Sequence, residues 1–331
     1  MIKGLTSVSD SGLDGLLCGE SRVIAVVDRK VGELYHYLIP TGERIFIDAS
    51  EKEKTFSTVA FITGRLLEME ADRDVLLLGI GGGITTDITG FAASVYKRGV
   101  RFAFIPTTLL AQVDASIGGK NGVNHNGFKN AMGTFNLPEF VWMNSAFLKT
   151  LPVRELRNGV SELLKTLMIG DGKAYGEAVE ELGHTKDFSG IEWMKYTSMA
   201  ARIKSEIVEN DFRDNGGRKK LNLGHSFGHA IERCAVAANV DISHGEAVSA
   251  GIVIAARLSE KMGIASPGTA GRIEKDFASC GLVTEPAFGM EMLLEALRND
   301  KKRVGDGIDF VFIREVGDVV VKKIGLEEIR L

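Results

Sequence analysis

Val75-Leu76-Leu77-Leu78-Gly79-Ile80-Gly81-Gly82-Gly83-Ile84-Thr85-Thr86-Asp87 joins an apolar run to consecutive glycines and then to a helix start. An uninterrupted apolar run bounded by turn residues predicts a strand buried on both faces, as in a parallel sheet. Glycines let the backbone approach a ligand closely, and the free N–H groups and dipole of a following helix favour a phosphate. The stretch therefore reads as a pyrophosphate turn or, alternatively, as a tight packing turn. It is not a Walker A loop, because Gly-Lys-Ser/Thr is missing, and Ile84 stands where the usual dinucleotide motif has its third glycine.

The same texture extends to both sides. Val23–Val27 ends at Asp28, Ile45–Ile47 ends at Asp48, and Phe102–Ile105 ends at Pro106, with helix-length segments Thr55–Glu70 and Asp87–Tyr96 between. Strands alternating with helices make βαβ units, so residues 1–151 are expected to form an open, Rossmann-like α/β domain. After Leu151-Pro152 the periods lengthen. Val153–Ile169, Glu192–Asp211, His225–Ala238, Gly245–Met262 and Met290–Arg298 predict helices, and Ile308–Arg314 with Asp318–Lys323 predicts a hairpin. Residues 152–331 are accordingly expected to form a second, mainly α-helical domain.

Composition limits what these domains can do. The 331 residues are 44% hydrophobic and 25% charged, an ordinary globular balance that excludes disorder, coiled coil and fibre. Forty Lys+Arg against forty-four Asp+Glu leave a net charge of −4, too little to hold a polyanion by bulk charge. Any anion must be bound by a few placed cations, and nucleic acid is not expected as a partner. Thirty-nine glycines against six prolines is a glycine excess, and it clusters around residues 79–133. Cys18, Cys234 and Cys280 have no metal or redox spacing and are expected to be free thiols in a reducing cytosol. The first residues lack an apolar signal core and no apolar run approaches bilayer length, so a cytoplasmic, membrane-free protein is expected.

Three more stretches carry candidate chemistry. Val113–Asn124 is glycine-rich and presents Lys120, and Lys129-Asn130 follow; the set suits an anionic small molecule or is a solvated surface loop. His225 and His229 stand at i, i+4, and His244-Gly245-Glu246 opens the next helix. Half of the six histidines thus fall within twenty residues. Spacing alone nominates His225, His229 and His244 as metal ligands, with a buried structural role for at least one as the alternative. Glu162 and Lys165, at i, i+3, share a helix face, where the usual meaning is an exposed ion pair.

With these residues in view, the chain resembles the dehydroquinate synthases of the sugar phosphate cyclase family. The resemblance rests on GGGITTDITGFAASVYKRGV (81–100), IPTTLLAQVDASIGGKNGVN (105–124), GFKN (127–130), LKTLPVRELRNGVSELLK (148–165), RKKLNLGHSFGHAIE (218–232), HGEAVSAG (244–251) and Asp300-Lys301-Lys302. It implies the dehydroquinate synthase-like fold, with the active site in the cleft between the domains. The activity implied is conversion of a seven-carbon sugar acid phosphate to 3-dehydroquinate and phosphate in the shikimate pathway, with NAD and a divalent metal, zinc or cobalt, as cofactors.

The metal ligands implied are Glu162, His225 and His244, which moves His229 to the substrate. Substrate contacts implied are Lys120, Asn130, Lys165, Lys204, Arg218, Asn222 and His229, with Lys301 or Lys302; Arg98 reaches into the neighbouring subunit of a homodimer. For NAD the resemblance implies Asp28, Glu51, Lys54, Gly81, Gly82, Gly83, Asp87, Thr107, Thr108, Lys129 and the Phe147–Thr150 turn, with Thr86 and Lys120 beside them and Asp114 near the nicotinamide. Thr86, Asn121, Leu137 and Lys30 depart from the family pattern, all in or beside the NAD site. Other readings of the same residues are a related cyclase, an NAD- and metal-dependent polyol dehydrogenase, and a non-catalytic binding protein.

Overall fold

The four apolar runs of the N-terminal half become four parallel strands. The computed structural model describes residues 12–301 and 307–329. In chain order its regular elements are α1 (Leu13–Leu17), β1 (Val23–Asp28), α2 (Arg29–Leu34), β2 (Glu43–Ile47), α3 (Phe56–Glu68), β3 (Leu76–Gly81), α4 (Gly83–Val95), β4 (Arg101–Pro106), β5 (Lys120–His125) and β6 (Phe128–Phe135). There follow α5 (Val153–Gly170), α6 (Gly172–Gly183), α7 (Trp193–Asn210), α8 (His225–Ala238), α9 (His244–Lys261), α10 (Thr269–Ser279), α11 (Met290–Lys301), β7 (Ile308–Glu315) and β8 (Asp318–Ile324). The chain divides into two compact units: one runs through Leu151 and adds Trp193–Arg213, the other holds Pro152–Glu192 and the residues from Asp214 on.

In the first unit the sheet order is β2-β1-β3-β4, all parallel, with Val26 opposite Gly79 and Leu78 opposite Ala103. Successive side chains alternate between faces. Ile24, Val26, Leu77, Phe102 and Phe104 pack with Val59, Ile62 and Leu66 of α3 and with Ile88 and Phe91 of α4. Ala25, Val27, Leu76, Leu78 and Ile105 pack on the other face with Tyr35, Trp142 and Phe147. Each fully buried Leu, Ile or Phe contributes on the order of 1.5–3 kcal/mol, which is why both faces of the sheet read as apolar. The order reverses between β1 and β3, and that switch point is where open α/β sheets bind ligands, beyond the strands' carboxyl ends. Asp28 and Gly81 end those two strands.

The structure amends the sequence reading of several segments. Helix α4 begins at Gly83, four residues before the predicted start, because Gly81 and Gly82 carry the chain from strand to helix with no intervening loop. The segment read as a lysine-presenting loop is a hairpin, β5 against β6, closed by Asn126-Gly127 with φ of 48° and 81°, the geometry of a two-residue type I′ turn. Helix α7, placed by sequence with the helical half, belongs to the first unit. Its Ala201 lies in the sheet's core cluster, and Lys204 bonds Asp114 on the π-helical turn Ala111–Ala115.

The second unit is built from α5, α6, α8–α11 and the β7–β8 hairpin. Its central feature is the contact of α8 with α9. Gly224, at φ 78°, has its Cα so close to α9 that an added Cβ would sit 2.9 Å from Val248 O and Ile252 N. A Cβ on Gly251 would in turn collide with Gly224 O. Helix α9 starts with a capping box between Ser243 and Glu246, and Gly245 N donates to Asn158 Oδ1 on α5. The three cysteines are free thiols, as expected, with Cys18 exposed and the others buried. Among the described residues no helix is long and apolar enough to cross a membrane.

Because Gly251 meets backbone rather than a flexible side chain, Gly251→Ala is expected to lose about 1–3 kcal/mol of stability. Gly176→Ala, on α6 with open space around it, is expected to be neutral or stabilising by up to about 1 kcal/mol. Thermal melts of the two variants check this; equal melting temperatures would contradict the packing account.

Candidate active site

In the second unit three helices bring together one group of donor atoms of the kind that hold metals. Glu162 lies on α5, His225 opens α8 and His244 opens α9, and their ligand atoms fall within 4.8 Å of one another. Glu162 Oε1 lies 3.6 Å from His225 Nε2 and 3.3 Å from His244 Nε2. The carboxylate is fully buried, Oε2 is paired with Lys165, and among the described residues no hydrogen bond satisfies Oε1. A buried carboxylate oxygen without a donor, faced by two imidazole nitrogens, is a set that fits a divalent cation of borderline softness.

Protonation agrees with that reading. Burial pushes the Glu162 carboxyl up, but Lys165, His225 and His244 outweigh it and hold it well below the usual carboxylate range. Burial, aided by Lys165, pushes His225 down to about 3, so its ring is neutral and its lone pair available. Burial alone would lower His244, yet the carboxylates of Glu162 and Glu232 on either side of the ring raise it to about 10. Two carboxylates facing one imidazole make a place that favours positive charge.

The spacing-based trio of histidines is corrected here. His229 packs its ring edge-on against His225, centroids 5.5 Å apart, but stands outside the donor group and is exposed. Lys165 is not the exposed ion-pair partner its spacing suggests; it is 1% exposed beside Glu162. Arg218 is also buried and Asn222 is exposed, on the turn that precedes α8. Lys301 ends α11, and its side chain and all of Lys302 lie outside the described residues.

The first unit gathers another set at its switch point. Asp28 caps α2, accepting from Lys30 N at 3.0 Å, and burial raises its carboxyl above the ordinary value. Gly82 caps α4 without a side chain, which leaves that helix's first N–H groups open to an anion. Gly81 has no room for a Cβ because Thr85 occupies the space. Thr86 donates to Gly83 O at 3.0 Å, so the residue that departs from the family pattern is buried and satisfied within the helix. Thr107 is buried and bonds Gly81 O through its amide, and Thr108 Oγ1 accepts from Ala111 N.

Lys54 joins the switch point to the hairpin. Its Nζ contacts Asp87 Oδ2 at 2.5 Å and Asn130 Oδ1 at 2.7 Å, while Asn124 reaches Glu51 Oε1 at 2.7 Å. Lys204 holds Asp114 through both its carboxylate, 2.6 Å, and its carbonyl, 2.7 Å. Lys120, on the exposed start of β5, lies over the Phe135 ring, and Lys129 is exposed on β6. Phe147 is a core side chain packed on Tyr35, whose hydroxyl bonds Phe147 O and Thr150 Oγ1; this turn can offer a ligand its backbone rather than the phenyl ring. Arg98 is exposed in the middle of Lys97-Arg98-Gly99, three consecutive residues with positive φ.

Glu232 is a residue the sequence reading did not nominate. It follows His225 by seven residues on α8, hence on the same face, and its Oε1 lies 3.6 Å from His244 Nδ1.

The family models for the 3-dehydroquinate synthase N-terminal and C-terminal regions match residues 44–158 and 159–303. The chain belongs to the 3-dehydroquinate synthase family. A 3-dehydroquinate synthase of Thermococcus kodakarensis is 44% identical over 282 residues, covering 85% of this chain and 78% of the relative. Among solved structures, 2-epi-5-epi-valiolone synthase from Streptomyces hygroscopicus subsp. jinggangensis, with NAD+ and Zn2+ bound, superposes with a TM-score of 0.83 at 27% identity, covering 93% of this chain and 88% of that one. A 2-deoxy-scyllo-inosose synthase complexed with carbaglucose-6-phosphate, NAD+ and Co2+ shares the fold, with a TM-score of 0.81, 23% identity and coverage of 93% and 89%.

Burial raises the Asp87 carboxyl to about 6 against the pull of Lys54. Unfolded aspartate titrates near ~3.9, so between these values the folded chain holds more protons than the unfolded one, and this group's contribution to stability falls as pH rises through about 4 to 6. Asp87→Asn lacks that dependence. Its melting temperature is therefore expected to fall less far below wild type at about pH 7.5 than at about pH 4.5; a gap that widens with pH would refute the raised value.

Proposed function

We propose that this chain converts 3-deoxy-D-arabino-heptulosonate 7-phosphate to 3-dehydroquinate and phosphate, using NAD catalytically and one divalent metal, zinc or cobalt. The observation that carries the reading is the Glu162, His225 and His244 donor group with Lys165 buried beside it, in a chain matched by both family models. The relatives bear the same activity in their names, and the structural relative at 27% identity holds NAD+ and Zn2+.

Bound at Glu162, His225 and His244, the metal would supply a Lewis acid that acidifies the hydroxyl to be oxidised, and NAD would take up and return one hydride. Two imidazoles and a carboxylate leave coordination positions for substrate oxygens, the arrangement of a catalytic site. The chain's own work is to bind and orient. The substrate carries a carboxylate and a phosphate, while the protein is slightly acidic overall, so placed cations must select it. Lys165 and Arg218, both buried in the second unit, are such cations, and His229 and Asn222 add hydrogen-bonding groups. In the first unit Lys120, Asn130 and Lys204 do this for the substrate, and Asp28, Glu51, Lys54, Asp87, Thr107, Thr108, Lys129 and the Gly81-Gly82-Gly83 turn serve NAD.

Elimination of phosphate, with the departing phosphate itself taking the proton from the neighbouring carbon, and the later ring opening and intramolecular aldol addition need geometric control more than a strong base, so the protein's part is chiefly that of a template. A cytoplasmic homodimer that binds neither nucleic acid nor membrane completes the reading, with Arg98 given to the neighbouring subunit. The positive φ at Lys97, Arg98 and Gly99 supports that role, because an exposed arginine is held on a backbone geometry that carries a conformational cost.

The deciding assay follows phosphate release from the heptulosonate phosphate. Release is expected to require NAD, to stop with chelator and to leave no net NADH; absence of release in the presence of NAD and zinc would sink the proposal, and accumulating NADH would favour a dehydrogenase. Glu162→Ala is expected to abolish metal retention without unfolding the chain, and stoichiometric metal by mass spectrometry would overturn the ligand assignment. Arg98→Ala is expected to lower kcat about 100-fold with the dimer intact in sedimentation, as loss of a placed charge at a reacting group does. A fully active variant, or an active wild-type monomer, would contradict the shared site.

A further inference from the structure

We propose that Glu232 is the positioning residue of the metal ligand His244: from α8 its carboxylate faces Nδ1 and so directs Nε2 toward Glu162. The inference rests on the reading of Glu162, His225 and His244 as a metal site and adds to it a residue that holds one ligand ring.

The two ring nitrogens of a metal-binding histidine do different work. One donates a lone pair to the metal, and the other gives its N–H to an acceptor that fixes both tautomer and orientation. Both histidines obey that division here. His225 aims Nε2 at Glu162 Oε1, 3.6 Å away, and its Nδ1 lies 3.2 Å from Leu223 O. His244 aims Nε2 at the same oxygen, 3.3 Å away, and its Nδ1 lies 3.6 Å from Glu232 Oε1. The acceptor for His225 is backbone two residues upstream and comes with the helix start. The group that faces His244 Nδ1 is a carboxylate on another helix.

The backbone of His244 is already fixed. Ser243 and Glu246 close a capping box around it, and Gly245 N is bonded to Asn158 Oδ1, one turn before Glu162 on α5. None of these contacts sets the rotation of the ring, whose side chain is 30% exposed. Glu232, 14% exposed, is the carboxylate placed against the ring edge opposite Glu162. A carboxylate there makes the imidazole a stronger donor as well as an oriented one.

The experiment titrates zinc into metal-free protein against a chromophoric chelator and records the visible spectrum of the cobalt form, for wild type, Glu232→Ala, Glu232→Gln and Glu162→Ala. Glu232→Ala is expected to bind zinc about 10–100-fold more weakly, with altered cobalt bands. Glu232→Gln keeps an acceptor oxygen and nearly the same shape, and its affinity is expected between the two; it decides the matter if the alanine variant melts before titration. Affinities of both Glu232 variants within threefold of wild type, with unchanged cobalt bands, would overturn the proposal while leaving the metal site standing. Wild type that takes up no zinc, or Glu162→Ala that binds it as tightly, would instead overturn the metal site itself.

Discussion

A carboxylate with no exposure to water, Glu162, is the constraint around which the second unit is arranged. Isolated burial of such a charge costs several kcal/mol, and the side chain would protonate if nothing opposed it. Lys165 on its own helix and two imidazoles from two other helices oppose it. Three helices must therefore converge on a point within α5. The glycines at 224, 245 and 251 are what permit it, because a Cβ at any of these crossings would collide with the backbone of a neighbouring helix or helix start. Composition, packing and chemistry are here one requirement seen at three scales.

Much of this was legible in the sequence. The strands of the first unit announced themselves through continuous apolar runs because both of their faces are covered. Helices α8 and α9 were legible to within a residue, since each begins at a histidine after a turn. The β5–β6 hairpin was not read, although Asn126-Gly127 is the strongest short hairpin signal known. Its strands carry Lys, Asn and Gly where β-branched residues are expected, so periodicity gave no support. Helix α6 also went unread. Asp171 caps it through Ala174 N, and Ala174, Ala178 and Leu182 make a stripe that signals its presence after the fact.

The candidate site divided along similar lines. Spacing found the region but included one histidine that stands outside the donor group, because Glu162, more than sixty residues away in sequence, decides which rings it meets. Nothing local separates an exposed i, i+3 pair from the buried Glu162–Lys165 pair; that distinction is made by what α8 and α9 lay over it. Resemblance, unlike spacing, nominated the three residues whose donor atoms the structure brings together. Glu232 escaped both approaches, though seven residues after His225 is two helical turns and hence the same face. A face is a weak hint until the partner across it, His244, is in place.

The backbone contact between α8 and α9 also bears on motion. Two helices separated by side chains can slide past one another by exchanging rotamers, a small step repeated at many positions. Where Gly224 and Gly251 bring main chain against main chain there are no rotamers to exchange, and displacement in either direction meets peptide atoms. The start of α8, where His225 sits, is thereby seated main chain on main chain against α9, seven residues beyond His244, with no side chain between them to change the spacing.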